Sequence, residues 1–141
     1  MSITLSSRPT CTIQPSRATV QAVVTACAMI ACADGHVAVK ERRSLLRFLR
    51  HHGALARFGR APVLAAFDVA VREAAPMTLD QICDVADRLR DVAGMPGAPL
   101  VAHAAAHVAL ADGITWPQEI ALLDVIRDRV GLARQATWDD R

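Results

Sequence analysis

The chain has 141 residues, of which 52% are hydrophobic and 21% charged, and its formal net charge is +2. This is the make-up of one globular domain with a single sizeable core. The longest apolar run, residues 18–33, carries Thr19, Gln21 and Thr25. It falls short of the roughly 20 mostly apolar residues that a membrane span needs, so it reads as a buried helix. Residues 1–17 lack the continuous apolar stretch of a secretory leader. The expected compartment is therefore the cytoplasm, with Cys11, Cys27, Cys32 and Cys83 as reduced thiols, none of them in a C-x-x-C pair.

Sustained period-2 alternation is nearly absent, which predicts an all-α fold with few or no strands. Residues 1–15 are rich in Ser, Thr and Pro and are expected to be a loose leading segment. Ser16 is placed to cap a first helix over residues 17–33, with Val20, Val23, Val24, Cys27, Ile30 and Ala31 forming its buried stripe. Gly35 stops it. A second helix is expected over residues 39–51, burying Leu45, Phe48 and Leu49 and ending at Gly53. Arg43, Arg47 and Arg50 fall on its other face.

Pro62 suits the first turn of a third helix to about Ala75, with Val63, Leu64, Phe67 and Val71 inward. Thr78 and Gln81 form a capping-box pattern for a fourth helix to Ala93. Leu79, Ile82, Cys83, Ala86 and Leu89 are its core face, and Asp80, Asp84, Asp87 and Asp91 form a solvent-facing stripe opposite. A turn-rich break, residues 94–99, leads to a fifth helix over residues 99–111. That helix is so apolar that it is expected to be the most buried. A sixth runs to about Val130 and is stopped by Gly131, leaving residues 133–141 as a tail.

Two of these turns match. Ala33-Asp34-Gly35 with Glu41 recurs as Ala111-Asp112-Gly113 with Glu119, and at one fixed offset Leu45 meets Leu123, Phe48 meets Ile126 and Gly53 meets Gly131. The prediction is one domain, residues 16–132: a single compact bundle of about six helices with an internal helix–Asp-Gly turn–helix repeat. The repeat units are 17–53 and 99–131, two helices (61–93) lie between them, and both elbows come to one end.

The elbow acids have two readings. An Asp where a helix ends opposes the helix dipole, so Asp34 and Asp112 require compensation. Either each bends across the turn to cap the next helix, or Asp34, Glu41, Asp112 and Glu119 supply oxygens to a hard divalent cation. The spacing resembles the second half of an EF-hand loop. The earlier ligand positions, however, fall on Ile30 and Cys32, and on Val108 and Leu110, which offer no side-chain oxygen, so an EF-hand is rejected.

Charge is unevenly spread: residues 1–60 hold nine Lys/Arg against two acids, and residues 61–141 hold seven against twelve. The Arg row of the second helix is thus a candidate docking face for an acidic protein, nucleic acid or an anionic membrane surface, or else a solvated face opposing the Asp stripe. A base-stacking platform is not expected, since Phe48 and Phe58 are the only aromatics near it. His103 and His107 have a zinc-compatible spacing but no further ligand pair, and are expected as core or groove histidines. No Gly-rich phosphate loop, nucleophile elbow or Cys/His cluster is present, so no enzyme activity is expected.

The two Ala-Asp-Gly elbows, each with its Glu and each followed by a Leu-rich helix ending in Gly-Ala-Leu or Gly-Leu, resemble the tellurite-resistance TerB family over roughly residues 20–132. The stretch LARFGRAPVLAAFDVAV is similar to the family's middle segment. The resemblance implies an all-helical bacterial cytoplasmic domain linked to tellurite and stress resistance, without catalysis. It also implies a divalent-metal site (Ca, Mg or Mn) at Asp34, Glu41, Asp112 and Glu119. Where the family often carries further acids in the elbow, this chain has His36, Val39, Lys40, Trp116, Pro117 and Gln118.

Overall fold

The computed structural model describes residues 16–33, 39–111 and 117–132. The elbows with Asp34, Gly35, Asp112 and Trp116, the leading residues with Cys11, and the tail lie outside them. Among the described residues there are seven helices and no strand. They are α1 (Arg17–Ala33), α2 (Val39–His51), α3 (Ala54–Phe58), α4 (Arg60–Ala74), α5 (Leu79–Ala86) continued by a 3-10 segment (Asp87–Val92), α6 (Ala98–Ala109) and α7 (Pro117–Arg129).

Helix α1 is the axis of the bundle. It packs chiefly on α6 and α4, and also meets α7, α2, α5 and the 3-10 segment. Its Ala-rich sequence makes this possible: small side chains let neighbours approach on several sides, and Thr19 to Ala31 is buried almost without interruption. Helix α6 was expected to be the most buried, but it shares that role with α1 and leaves His103 and His107 exposed. Ser16 caps α1 as expected, its Oγ accepting from the Thr19 amide at 3.1 Å.

Helix α2 buries Leu45 and Leu49, together with Glu41 and Ser44. It breaks at Gly53, whose φ of 79° is a conformation that few other residues adopt. The chain then forms α3, one turn longer than the six-helix expectation allowed. Helix α4 sends Phe67 and Val63 into the core, while Leu64 and Val71 are only half-buried.

The expected fourth helix starts as read. The Thr78 amide donates to Gln81 Oε1 at 2.8 Å, and the Gln81 amide donates to Thr78 Oγ1 at 3.2 Å. Thr78→Ala is expected to cost about 0.5–2 kcal/mol, read from urea denaturation. From Asp87 onward the helix tightens. Ala86, Leu89 and Val92 are buried at spacings of three, which suits three residues per turn better than 3.6.

The Asp stripe is exposed, as expected. It does not oppose the Arg row: Asp87 pairs with Arg129 at 2.8 Å and with Arg90 at 3.6 Å. The Arg129 hydrogen bond, helped by both positive charges, holds the Asp87 carboxyl below its usual range. That pair ties the 3-10 segment to the end of α7. There Leu132 N donates to Arg127 O at 2.9 Å and Gly131 N to Asp128 O at 3.1 Å. These are the two bonds of a Schellman stop, so Gly131 ends the helix where the sequence placed the stop.

Candidate functional site: the elbow flanks and the basic face of α2

The flanks of both elbows open at one end of the bundle. Lys40, just after the first elbow, and Ala111, just before the second, line the same groove. A cross-link holds this end together: Ser44 Oγ, a little over one turn into α2, donates to the carbonyl of His107 near the end of α6 at 3.3 Å.

Glu41 and Glu119 occupy the first turns of α2 and α7. An acid is favoured there by the helix dipole. Their burial is more than that position requires, since Glu41 is 4% exposed and Glu119 1%. Both carboxylates are engaged in hydrogen-bonding or electrostatic interactions. Glu41 reaches toward α1: the buried Cys27 thiol has its pKa pushed up, first by desolvation and then by the Glu41 charge. The repeat is not exact beneath these acids. Ser44 is buried where its counterpart Leu122 is buried, but Leu45 is fully buried where Leu123 is only partly so.

The other two candidate ligands, Asp34 and Asp112, lie outside the described residues. Among the described residues, no group of three or more His, Cys, Asp or Glu is arranged to hold a metal ion. Glu41 and Glu119 nonetheless have the right donor chemistry for a hard cation, which takes carboxylate oxygens.

Arg43, Arg47 and Arg50 are exposed, and none forms an ion pair among the described residues. Their neighbour Arg42, on the opposite flank of α2, pairs with Asp68 of α4 at 3.2 Å. His103 and His107, expected in the core or a groove, both stand exposed on α6, and His107 borders the groove. The sequence did not single out the ring cluster that His107 joins. Phe48 lies 4.5 Å from the His52 ring and 5.8 Å from His107, and His51 packs edge-on to His52 at 5.2 Å. Burial, then the nearby His51 and His103, push the His52 pKa below the ordinary histidine value.

The family model for tellurite resistance protein TerB matches residues 20–138. The chain belongs to the TerB family. This TerB chain has no significant match among curated proteins or among solved structures. The family match covers both elbows, the helices on either side of each, and the α3–α5 segment between the two repeat units. The all-helical architecture of this TerB domain agrees with it. No helix among the described residues is long and apolar enough to cross a membrane.

Proposed function

We propose that this TerB chain is a non-enzymatic, bacterial cytoplasmic protein of tellurite and stress resistance. Its two elbows hold a divalent cation (Ca, Mg or Mn) through Asp34, Glu41, Asp112 and Glu119. The observation carrying this reading is the matched burial of Glu41 and Glu119 at equivalent places in the repeat. A carboxylate withdrawn from water needs strong compensation, and a hard cation can add to the interactions that Glu41 and Glu119 already make. A bound cation would supply charge neutralisation and tie the α1–α2 unit to the α6–α7 unit. The competing account is that Asp34 and Asp112 only cap the helices that follow.

The test is a thermal melt of the full chain with EDTA, then with calcium, magnesium or manganese. A cation at about 100 times its Kd adds ~2.7 kcal/mol to the folded state, a shift of several degrees. Asp34→Asn and Asp112→Asn are expected to abolish most of that shift, while Asn still caps nearly as well as Asp. No shift in the wild type with any of the three cations would leave the acids as helix caps.

A second reading concerns the groove that the elbow flanks border and the Arg row along it. Arg43, Arg47 and Arg50, exposed and without ion pairs among the described residues, form a docking face for an anionic partner: an acidic protein, nucleic acid or membrane surface.

A further inference from the structure

We infer that the trough along the exposed side of α2 binds an acidic peptide segment of a partner protein, in which carboxylates alternate with apolar side chains. This inference rests on the docking reading of Arg43, Arg47 and Arg50 and names the partner.

Two concavities meet on this face and share Arg43 and Arg47. One, of about 360 Å³, also has Lys40, Ser44, His107 and Leu110 in its walls. The other, of about 230 Å³, adds Arg50, Arg60, Leu46 and Leu55. Among the described residues, no acidic side chain lines either one. The described walls therefore carry charge of a single sign, and low-dielectric walls focus that field onto whatever enters. It is not purely cationic, because each basin has an apolar wall. Leu110 is 60% exposed at one end, and Leu46 and Leu55 stand at the other.

The arginine spacing fits an extended chain. At ~1.5 Å per residue, Arg43 and Arg47 are separated by about 6 Å along the helix axis and Arg47 and Arg50 by about 4.5 Å. Alternate residues of a strand are roughly 6.6 Å apart. Carboxylates at alternate positions can therefore meet successive guanidinium groups, each a planar fork suited to a carboxylate. The intervening apolar side chains turn toward the leucine walls.

Nucleic acid is disfavoured because, among the described residues, no Phe, Tyr or Trp lines either basin, and Phe48 is committed to the His52 and His107 rings. A single strand gains much of its affinity from such stacking. A flat membrane surface is disfavoured because the cations line recesses and not a protrusion.

The experiment is fluorescence anisotropy on the full chain with a labelled twelve-residue peptide alternating Glu with Leu or Ala. The comparison probes are the same peptide with Lys for Glu, a twelve-base oligo-dT, and vesicles containing phosphatidylserine. The Glu peptide is expected to bind and the Lys peptide not to. Arg43→Glu/Arg47→Glu is expected to weaken binding at least tenfold, and Leu110→Ser to weaken it without any change of charge. Arg72→Glu, on the exposed side of α4, is expected to leave it unchanged. Raising salt from 0.05 to 0.5 M is expected to reduce affinity strongly, since the contacts are exposed. Melts establish that each variant folds, and Arg43→Gln/Arg47→Gln replaces the double reversal should that one not.

If oligo-dT or vesicles bind in an arginine-dependent way and the peptide does not, the peptide assignment is overturned while the docking face stands. Arginine-dependent self-association in sedimentation, without peptide binding, overturns it in favour of a second copy. If no probe and no self-association depends on the arginines, both the inference and the docking reading fail.

Discussion

Phe67→Ala is expected to lower stability by about 3–5 kcal/mol. Among the described residues Phe67 is the largest fully buried side chain, with no exposed surface, and it points from α4 into the packing against α1, the axis of the bundle. Removing the ring forfeits its transfer energy and leaves a cavity. The surrounding residues, many of them alanines on α1, are too short to fill it. Urea denaturation measures the effect as a lower midpoint with an unchanged slope. For a chain of this size the thermal midpoint is expected to fall by roughly 10 °C or more. A loss below about 1 kcal/mol would mean that α4 is not held against α1 as described.

The second large effect is expected at Gly97, where α6 begins. Its backbone is ordinary, with φ −83° and ψ −6°, so the constraint is space. A β-carbon there would lie 2.6 Å from Thr19 Cγ2 and 3.0 Å from Thr19 Cβ, with Thr19 Oγ1 closer still. Thr19 cannot swing aside cheaply: it is 2% exposed, and its Oγ1 accepts from Ser16 Oγ at 3.1 Å. Gly97→Val is expected to cost ~3 kcal/mol, at the upper end of overpacking effects. A double-mutant cycle locates the cause. Thr19→Ala removes the two closest atoms, so Thr19→Ala/Gly97→Val is expected to be more stable than the sum of the single changes predicts, by 1 kcal/mol or more. Strict additivity would place the penalty somewhere other than the α1–α6 contact.

The helices were legible wherever periodicity ran for three turns or where a cap announced an end. Ser16, the Thr78–Gln81 pair and Gly131 each mark a boundary that the structure shares. Helix α3 was missed because five residues between Gly53 and Gly59 are too few to display a 3.6-residue period. The tightening at Asp87 was missed for a related reason. Ala86, Leu89 and Val92 fit an α-helical stripe nearly as well as a 3-10 edge, and only packing decides between them.

At the candidate site, sequence spacing found Glu41 and Glu119 and their place in first turns. Their near-complete burial depends on α1 and could not be read locally. The histidines show the same limit. On α6 alone, His103 and His107 share a helix face with nothing to tell whether that face is inward. The meeting of His107 with Phe48 and His52 exists only because α2 and α6 pack together. The exposed Arg row, by contrast, was readable from α2 alone, since Leu45 and Leu49 fix which side of that helix turns away from water.

The central position of α1 has a consequence for how the chain acquires its fold. This helix is made before the neighbours it packs on, and of these α6 and α7 come last among the described elements. At a synthesis rate of ~5–20 residues per second, α1 is out of the ribosome for several seconds before α6 can lie against it. During that interval α4 can already cover one side of it, but the face that α6 will cover has no native surface to rest on. The fold is therefore completed late, and any nascent chain cut short before α6 carries a sticky, unsheltered face of α1 that chaperones and proteases will read as unfinished.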